Sequence, residues 1–237
     1  MKPILLYIIL ATALTTSANA GWREDYSNLL QKYATAEGVD YANWASNSTD
    51  KALLKSVVDA IAEEIPSGSR NDKLAYYINA YNAWILFYFV DDHPRENNNA
   101  IKRGIFFSSN GPVIAGKKTS FSKLETDVIR AGFSEPRIHF ALNCASRSCP
   151  PLLDRAYSGA NLDAELTAQT EDFLNNNSLG LRLSGSGKTA YISEIFKFFA
   201  EDFDDVKTFI NQFRDAPLGP EVKIRFQDYD WSRNDAS

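Results

Sequence analysis

The residues best suited to do chemistry crowd one stretch of this chain, His139 to Pro151, which reads HFALNCASRSCPP. It holds both cysteines, Cys144 and Cys149, and one of the two histidines in 237 residues. Three chemistries fit. The first is a structural disulfide between Cys144 and Cys149. Bridging needs Cα atoms about 4.4–6.8 Å apart, which four intervening residues in a tight loop can provide. The second makes Cys144 a nucleophile and His139 its base, because an imidazole beside a thiol both lowers its pKa and takes its proton. A carboxylate would then orient the imidazole, and Glu125 is a candidate. This reading requires a turn after Leu142. A fully extended chain would set residues 139 and 144 about 17 Å apart, at roughly 3.3 Å per residue, and on opposite faces. The third is a metal site of His139 with both thiolates. Its H-x4-C-x4-C spacing matches no common zinc pattern and lacks a fourth ligand, so neither a metal nor another cofactor is expected. The C-x4-C spacing also departs from the C-x-x-C of thioredoxin-like redox motifs.

Other residues carry a plain reading beside a functional one. Asn79 and Asn82 lie three apart on a nearly apolar helix and so share a face. Buried amides must find partners. They tether loops to the helix, or they bind substrate and line an oxyanion site. Glu125 fits a capping box, Ser122-Lys123-Leu124-Glu125, as well as the role of orienting His139. Lys197 reads as a surface residue on a short amphipathic helix, with Asp202 beyond its end. His93, before Pro94 at a helix end, reads as structural. Asp230-Trp231 either closes over the site or pins the tail.

The elements that must position these groups can be read from periodicity and caps. Trp22 to Tyr33 is expected to be helical, and Gly38 to Tyr41 breaks it. A helix capped by Thr49 or Asp50 runs to Ile65, with Leu53, Val57 and Ile61 at spacing four. Asn71 or Asp72 caps a long helix from Lys73 to about Val90, apolar nearly all round and so expected to be central and buried. Asn97 to Gly116 reads as irregular, and Ser122 opens a helix to Arg130. Arg137 to Leu142 alternates and is expected to be a strand. Leu162 to Leu174 is helical. Leu179–Leu183 and Thr189–Ile192 form a hairpin about Ser184 to Lys188. Ser193 caps a helix over Glu194 to Ala200, a further helix covers about Asp205 to Phe213, and Val222–Phe226 is the last strand. The order predicts an α+β fold, a helical first half around a buried central helix with a mainly antiparallel sheet in the second half.

Composition narrows the setting. Lys2, the apolar run Ile4 to Leu14 and Ala18-Asn19-Ala20 make the pattern of a signal peptide cleaved after Ala20. That predicts a periplasmic or secreted protein, with residues 21–237 forming one globular domain. The apolar run is shorter than the ~20 residues of a membrane span. The net charge is −5, and removing Lys2 leaves 24 basic against 30 acidic side chains. The charges are interspersed with no basic run, so nucleic acid and anionic membrane surfaces are poor partners. A small molecule or peptide is the expected one.

Several motifs also resemble a known family. Ile78-Asn79-Ala80-Tyr81-Asn82-Ala83, the HFALNCASRSCPPL segment, Ser193 to Phe198 with Glu201-Asp202-Phe203, and Tyr229-Asp230-Trp231-Ser232 look like the domain of unknown function 547 family. Leu124-Glu125 with Arg130 is similar to an element ahead of its histidine. The resemblance covers about residues 70 to 233. The order of helices before sheet is similar to papain-like and transglutaminase-like thiol enzymes at fold level only, and those place the cysteine before the histidine. Together these readings lead to an extracytoplasmic thiol-dependent hydrolase or acyl transferase acting on an amide or thioester. Cys144, His139 and Glu125 would be catalytic, and Asn79 and Asn82 would bind substrate. The alternatives are a non-catalytic binding module stapled by Cys144–Cys149 and a metal-binding protein.

Overall fold

The computed structural model describes residues 15–91 and 100–236, with side chains from Gly21. The expected signal segment up to Leu14, and His93-Pro94, lie outside the described residues. The fold is α+β, as the element order predicts. Helix α1 (Thr15–Tyr33) leads through a two-residue hairpin, β1 (Ala34–Thr35) and β2 (Gly38–Val39), to α2 (Tyr41–Ser46), α3 (Ser48–Glu63) and the central α4 (Arg70–Asp91). Asn47 caps α3, its Oδ1 accepting from the Thr49 and Asp50 amides, so the cap lies ahead of both expected residues. Helix α4 also begins earlier than expected. Ser69 N donates to Asp72 Oδ2 while Asp72 N donates to Ser69 Oγ, a reciprocal cap in the style of a capping box.

Three expectations for the middle of the chain are corrected. The stretch read as irregular holds a helix, α5 (Ala100–Ser109), and a tight hairpin, β3 (Val113–Ile114) with β4 (Lys117–Lys118). Phe106 of α5 packs among Tyr88, Phe89 and Phe121, and this aromatic burial orders the segment despite its polar composition. The capping box at Ser122 is not used. Buried Phe121 and Leu124 set the helix phase, so Ser120 caps α6 (Phe121–Lys123), with its Oγ accepting from Lys123 N at 3.2 Å. The chain then widens into a π-helix, Leu124–Arg130, before α7 (Ala131–Phe133).

The expected strand at Arg137–Leu142 is a 3-10 turn, Pro136–Phe140, capped by Glu135, which accepts from Arg137 N. Its alternation has another cause. Ile138, Leu142 and Ala141 enter a core built by α1, α3 and α4, whereas Phe140 enters a second core with Phe173, Phe196 and Ile210. His139 is buried between neighbours that serve different cores.

After the cysteine loop come α8 (Leu162–Asn175), β5 (Leu181–Leu183), β6 (Thr189–Ile192), α9 (Ile195–Phe198), a 3-10 turn Ala200–Asp202, α10 (Val206–Phe213) and β7 (Lys223–Phe226). The expected hairpin forms, with Leu181 opposite Ile192, and β7 pairs parallel on the other edge of β6. No helix among the described residues is long and apolar enough to cross a membrane.

Candidate active site

A cavity of about 380 Å³ is lined by residues from both cores, and its wall carries His139, Glu125, Cys144, Cys149, Tyr81 and Tyr229. The turn after Leu142 that the thiol reading requires is present, and it brings residues 139 and 144 to one cavity. Asn82 on α4 makes that turn. Its Nδ2 donates to Ala141 O at 2.9 Å and its Oδ1 accepts from Asn143 N at 2.9 Å. Asn143 Nδ2 donates to Pro150 O, and Asn143 Oδ1 accepts from Ala145 N, which closes the loop. Ala145 takes a left-handed conformation, φ 61°, unusual for a residue with a side chain. Asn79 clasps another loop, donating to Tyr157 O at 2.8 Å and accepting from Tyr157 N at 2.9 Å. Neither asparagine lines the cavity. Both amides are spent on backbone, the tethering role.

Cys144 and Cys149 are joined as a disulfide with Cα atoms 6.4 Å apart. The thiol at Cys144 is therefore masked in this state. Tyr229 Oη donates to Cys149 Sγ at 3.2 Å, and the Cys144 amide donates to the same sulfur at 3.1 Å. Among the described residues no group of three or more His, Cys, Asp or Glu is placed to hold a metal ion.

The carboxylate that meets His139 is Asp202, not Glu125. His139 Nε2 lies 2.6 Å from Asp202 Oδ2. Burial pushes the imidazole down to about 4, overcoming the raising effect of Asp202. Asp202 stays below the usual carboxylate range, because Arg130 and His139 outweigh its own burial. The pair is therefore neutral imidazole with carboxylate. A carboxylate only accepts, so the proton sits on Nε2, and Nδ1 carries the lone pair. Phe199 stacks on the ring at 4.0 Å and Arg130 grips Asp202 through Nε and Nη2, at 2.6 and 2.9 Å.

Glu125 plays a separate part. Burial raises its pKa to about 7, against the lowering effects of Arg130 and Tyr81, whose Oη lies 3.5 Å from Glu125 Oε2. The π-helix explains its aim. Bonds from residue i+5 to i bring residues five apart onto one face, so Glu125 and Arg130 align as they would not in an α-helix. Arg130 then holds that helix to the Ala200–Asp202 turn.

Asp202, which meets His139, and Tyr229, which meets Cys149, stand outside the expected catalytic set. Both fall in the motifs that carried the family resemblance, which was the only signal for them. Of the two readings of Asp230-Trp231, the pinned tail is seen. Trp231 lines the cavity, while Ser148 N donates to Asp230 O and pins the tail to the cysteine loop. Lys197 is exposed and paired with Glu194.

Residues 65–174 match the family described as protein of unknown function, DUF547. The matched segment contains α4, the π-helix carrying Glu125, His139 and the bridged cysteines. Asp202 and Tyr229 lie beyond it, so the site draws on chain outside the matched residues. No curated protein and no solved structure matches the chain.

Proposed function

We propose that the cavity is the active site of a thiol-dependent hydrolase or acyl transferase acting on an amide or thioester, with Cys144 as nucleophile once its bridge to Cys149 is opened. The observation that supports this is the meeting, on one cavity wall, of Cys144, a histidine with a fixed tautomer, and a carboxyl group poised near neutrality. An efficient acid–base group has a pKa near the working pH. Glu125 meets that requirement better than His139. In the proposed cycle ionised Glu125 takes the thiol proton of Cys144, and the thiolate attacks the substrate carbonyl carbon. Protonated Glu125 then gives the proton to the leaving amine or thiolate. Water, or an acceptor amine, releases the acyl group from Cys144. His139 Nδ1 accepts a hydrogen bond from substrate or water, while Asp202 holds the ring. The test is incubation of reduced protein with an activated thioester. An acyl group should appear on Cys144 by mass spectrometry, and turnover should fall by orders of magnitude in Cys144→Ala and Glu125→Gln. Full turnover in Cys144→Ala would end this reading.

The closed disulfide favours a second reading, a non-catalytic binding module. In that case an aromatic or acyl ligand binds the Tyr229–Trp231 side of the cavity equally before and after reduction and alkylation. Export is part of either proposal. A bridged cysteine pair suits an oxidising compartment. N-terminal sequencing of protein recovered from outside the cytoplasm should begin at Gly21.

A further inference from the structure

Opening a disulfide is directional. An incoming thiolate attacks one sulfur and expels the other. Access decides which is attacked, and the stability of the departing thiolate decides how fast it leaves. The two sulfurs of this bridge are not equivalent in either respect. Cys149 is buried, 5% exposed, while Cys144 is partly exposed, and both line the cavity. Cys149 Sγ receives two donors, the Cys144 amide at 3.1 Å and Tyr229 Oη at 3.2 Å. Cys144 Sγ has Ser146 Oγ at 3.3 Å and Tyr229 Oη only at 3.8 Å.

Both donors to Cys149 are held in place. The amide belongs to the loop closed by Asn143, Asn82 and the left-handed Ala145. The Tyr229 ring packs on Trp231 at 4.4 Å and on Phe198 at 5.5 Å. Burial raises the Tyr229 pKa further, so its hydroxyl keeps its proton. Two fixed donors on a buried sulfur have little purpose toward a neutral disulfide, since sulfur is a weak acceptor. They gain strength when that sulfur becomes an anion.

The geometry points to a directional thiol-exchange site: a small thiol entering the cavity is joined to Cys144, and Cys149 leaves as a thiolate held by the Cys144 amide and Tyr229. In the first step the thiolate R–S⁻ forms a bond to Cys144 Sγ, the Cys144–Cys149 bond breaks, and its electron pair goes to Cys149. In the second step another R–S⁻ attacks the R sulfur of the mixed disulfide and releases Cys144 as a thiolate. The cysteine pair gains two electrons, two thiols become R–S–S–R, and their two protons pass to solvent or to the freed cysteines. This exchange is separate from the acyl-transfer reading, because the mixed disulfide forms whether or not an acyl group is ever transferred.

The probe is glutathione, added to the oxidised full chain and quenched with acid after short times. The freed thiol is alkylated and the peptides are mapped. Glutathione is expected on Cys144 and the alkyl group on Cys149. The opposite placement, or a bridge that stays closed at thiol concentrations that open an ordinary exposed disulfide, would overturn the proposal. Tyr229→Phe should slow reduction by roughly threefold to tenfold. In a Cys144→Ser background the same change should move the thiolate absorbance of Cys149 to higher pH. An unchanged titration would refute the part assigned to Tyr229, which a merely structural tyrosine would leave in place.

Discussion

Two groups at the cavity, buried His139 and half-buried Glu125, respond to pH in opposite senses. His139 has its pKa lowered from 6.5 to about 4. Between those values the unfolded chain binds a proton that the folded chain does not, so its contribution to stability rises with pH through that window. Glu125 has its pKa raised from 4.5 to about 7. Between those values the folded chain holds the extra proton, so its contribution is present below 4.5 and is lost as pH rises through 7. The two slopes nearly cancel across most of the mildly acid range. Glu125→Gln should expose the histidine slope: urea denaturation should show stability rising with pH between about 4 and 6.5. At pH 8 the variant should exceed the parent by on the order of 2 kcal/mol, because the half-buried Glu125 charge is gone. Parallel curves for the two proteins would refute the assignment. Asp202→Asn tests the other partner. Arg130, only 13% exposed in its side chain, would lose its carboxylate fork. Arg130 would keep only its pairing with Glu201, which is exposed and screened, so a cost of about 1–3 kcal/mol is expected. An equilibrium denaturation midpoint equal to the parent's would show the fork to be unimportant.

At the scale of elements, helix α4 is the beam to which the loops are tied. Asn79 and Asn82 lie three apart on it, yet they clasp different loops, one around Tyr157 and one around Ala141 to Asn143. Each Ala substitution removes one buried donor and one buried acceptor. A loss of about 2–4 kcal/mol is therefore expected for each, measured by thermal or urea unfolding. Only Asn82→Ala should also speed alkylation of the reduced cysteine loop, and equal rates for both variants would contradict this division of labour. The legibility of elements follows the range of their causes. The α4 helix and the Leu181–Ile192 hairpin depend on local periodicity and turn residues, and both form where these place them, α4 with an earlier start. The Arg137–Leu142 segment is a turn and not a strand because Ile138 to Leu142 are all buried where the two cores meet, so its apolar–polar alternation marks no exposed face. The capping box failed because Phe121 and Leu124, not Ser122, set the phase of the helix.

Across the whole molecule the C-terminal tail joins distant parts. Val39 N donates to Asn234 O, Ala236 N to Val39 O, and Asn234 N to Ala145 O, so one strip of backbone touches both the first hairpin and the cysteine loop. Tyr41 Oη adds a hydrogen bond to Asn234 Oδ1 at 2.9 Å. The close approach needs Gly38. Its φ is 146°, and a Cβ there would stand 2.2 Å from Asn234 O. Gly38→Ala should therefore cost at least about 2 kcal/mol and open the tail to carboxypeptidase. Stability and digestion equal to the parent's would show that the contact is not needed. Reducing the disulfide should cost about 2 kcal/mol, the value for a short closed loop.

Local sequence dictates the α+β order, the long apolar helix at the centre, the hairpin about Ser184 to Lys188, and the nearness of Cys144 to Cys149. Each rests on spacing within a few residues, where propensity, caps and periodicity act. Long-range packing is what brings Asp202, 63 residues along the chain, to His139 and Tyr229 to Cys149. It also decided that Glu125 faces the cavity instead of closing a cap. These pairings depend on how two aromatic cores meet at one turn. Burial there sets both the contacts and the proton affinities, and neither is encoded in local spacing.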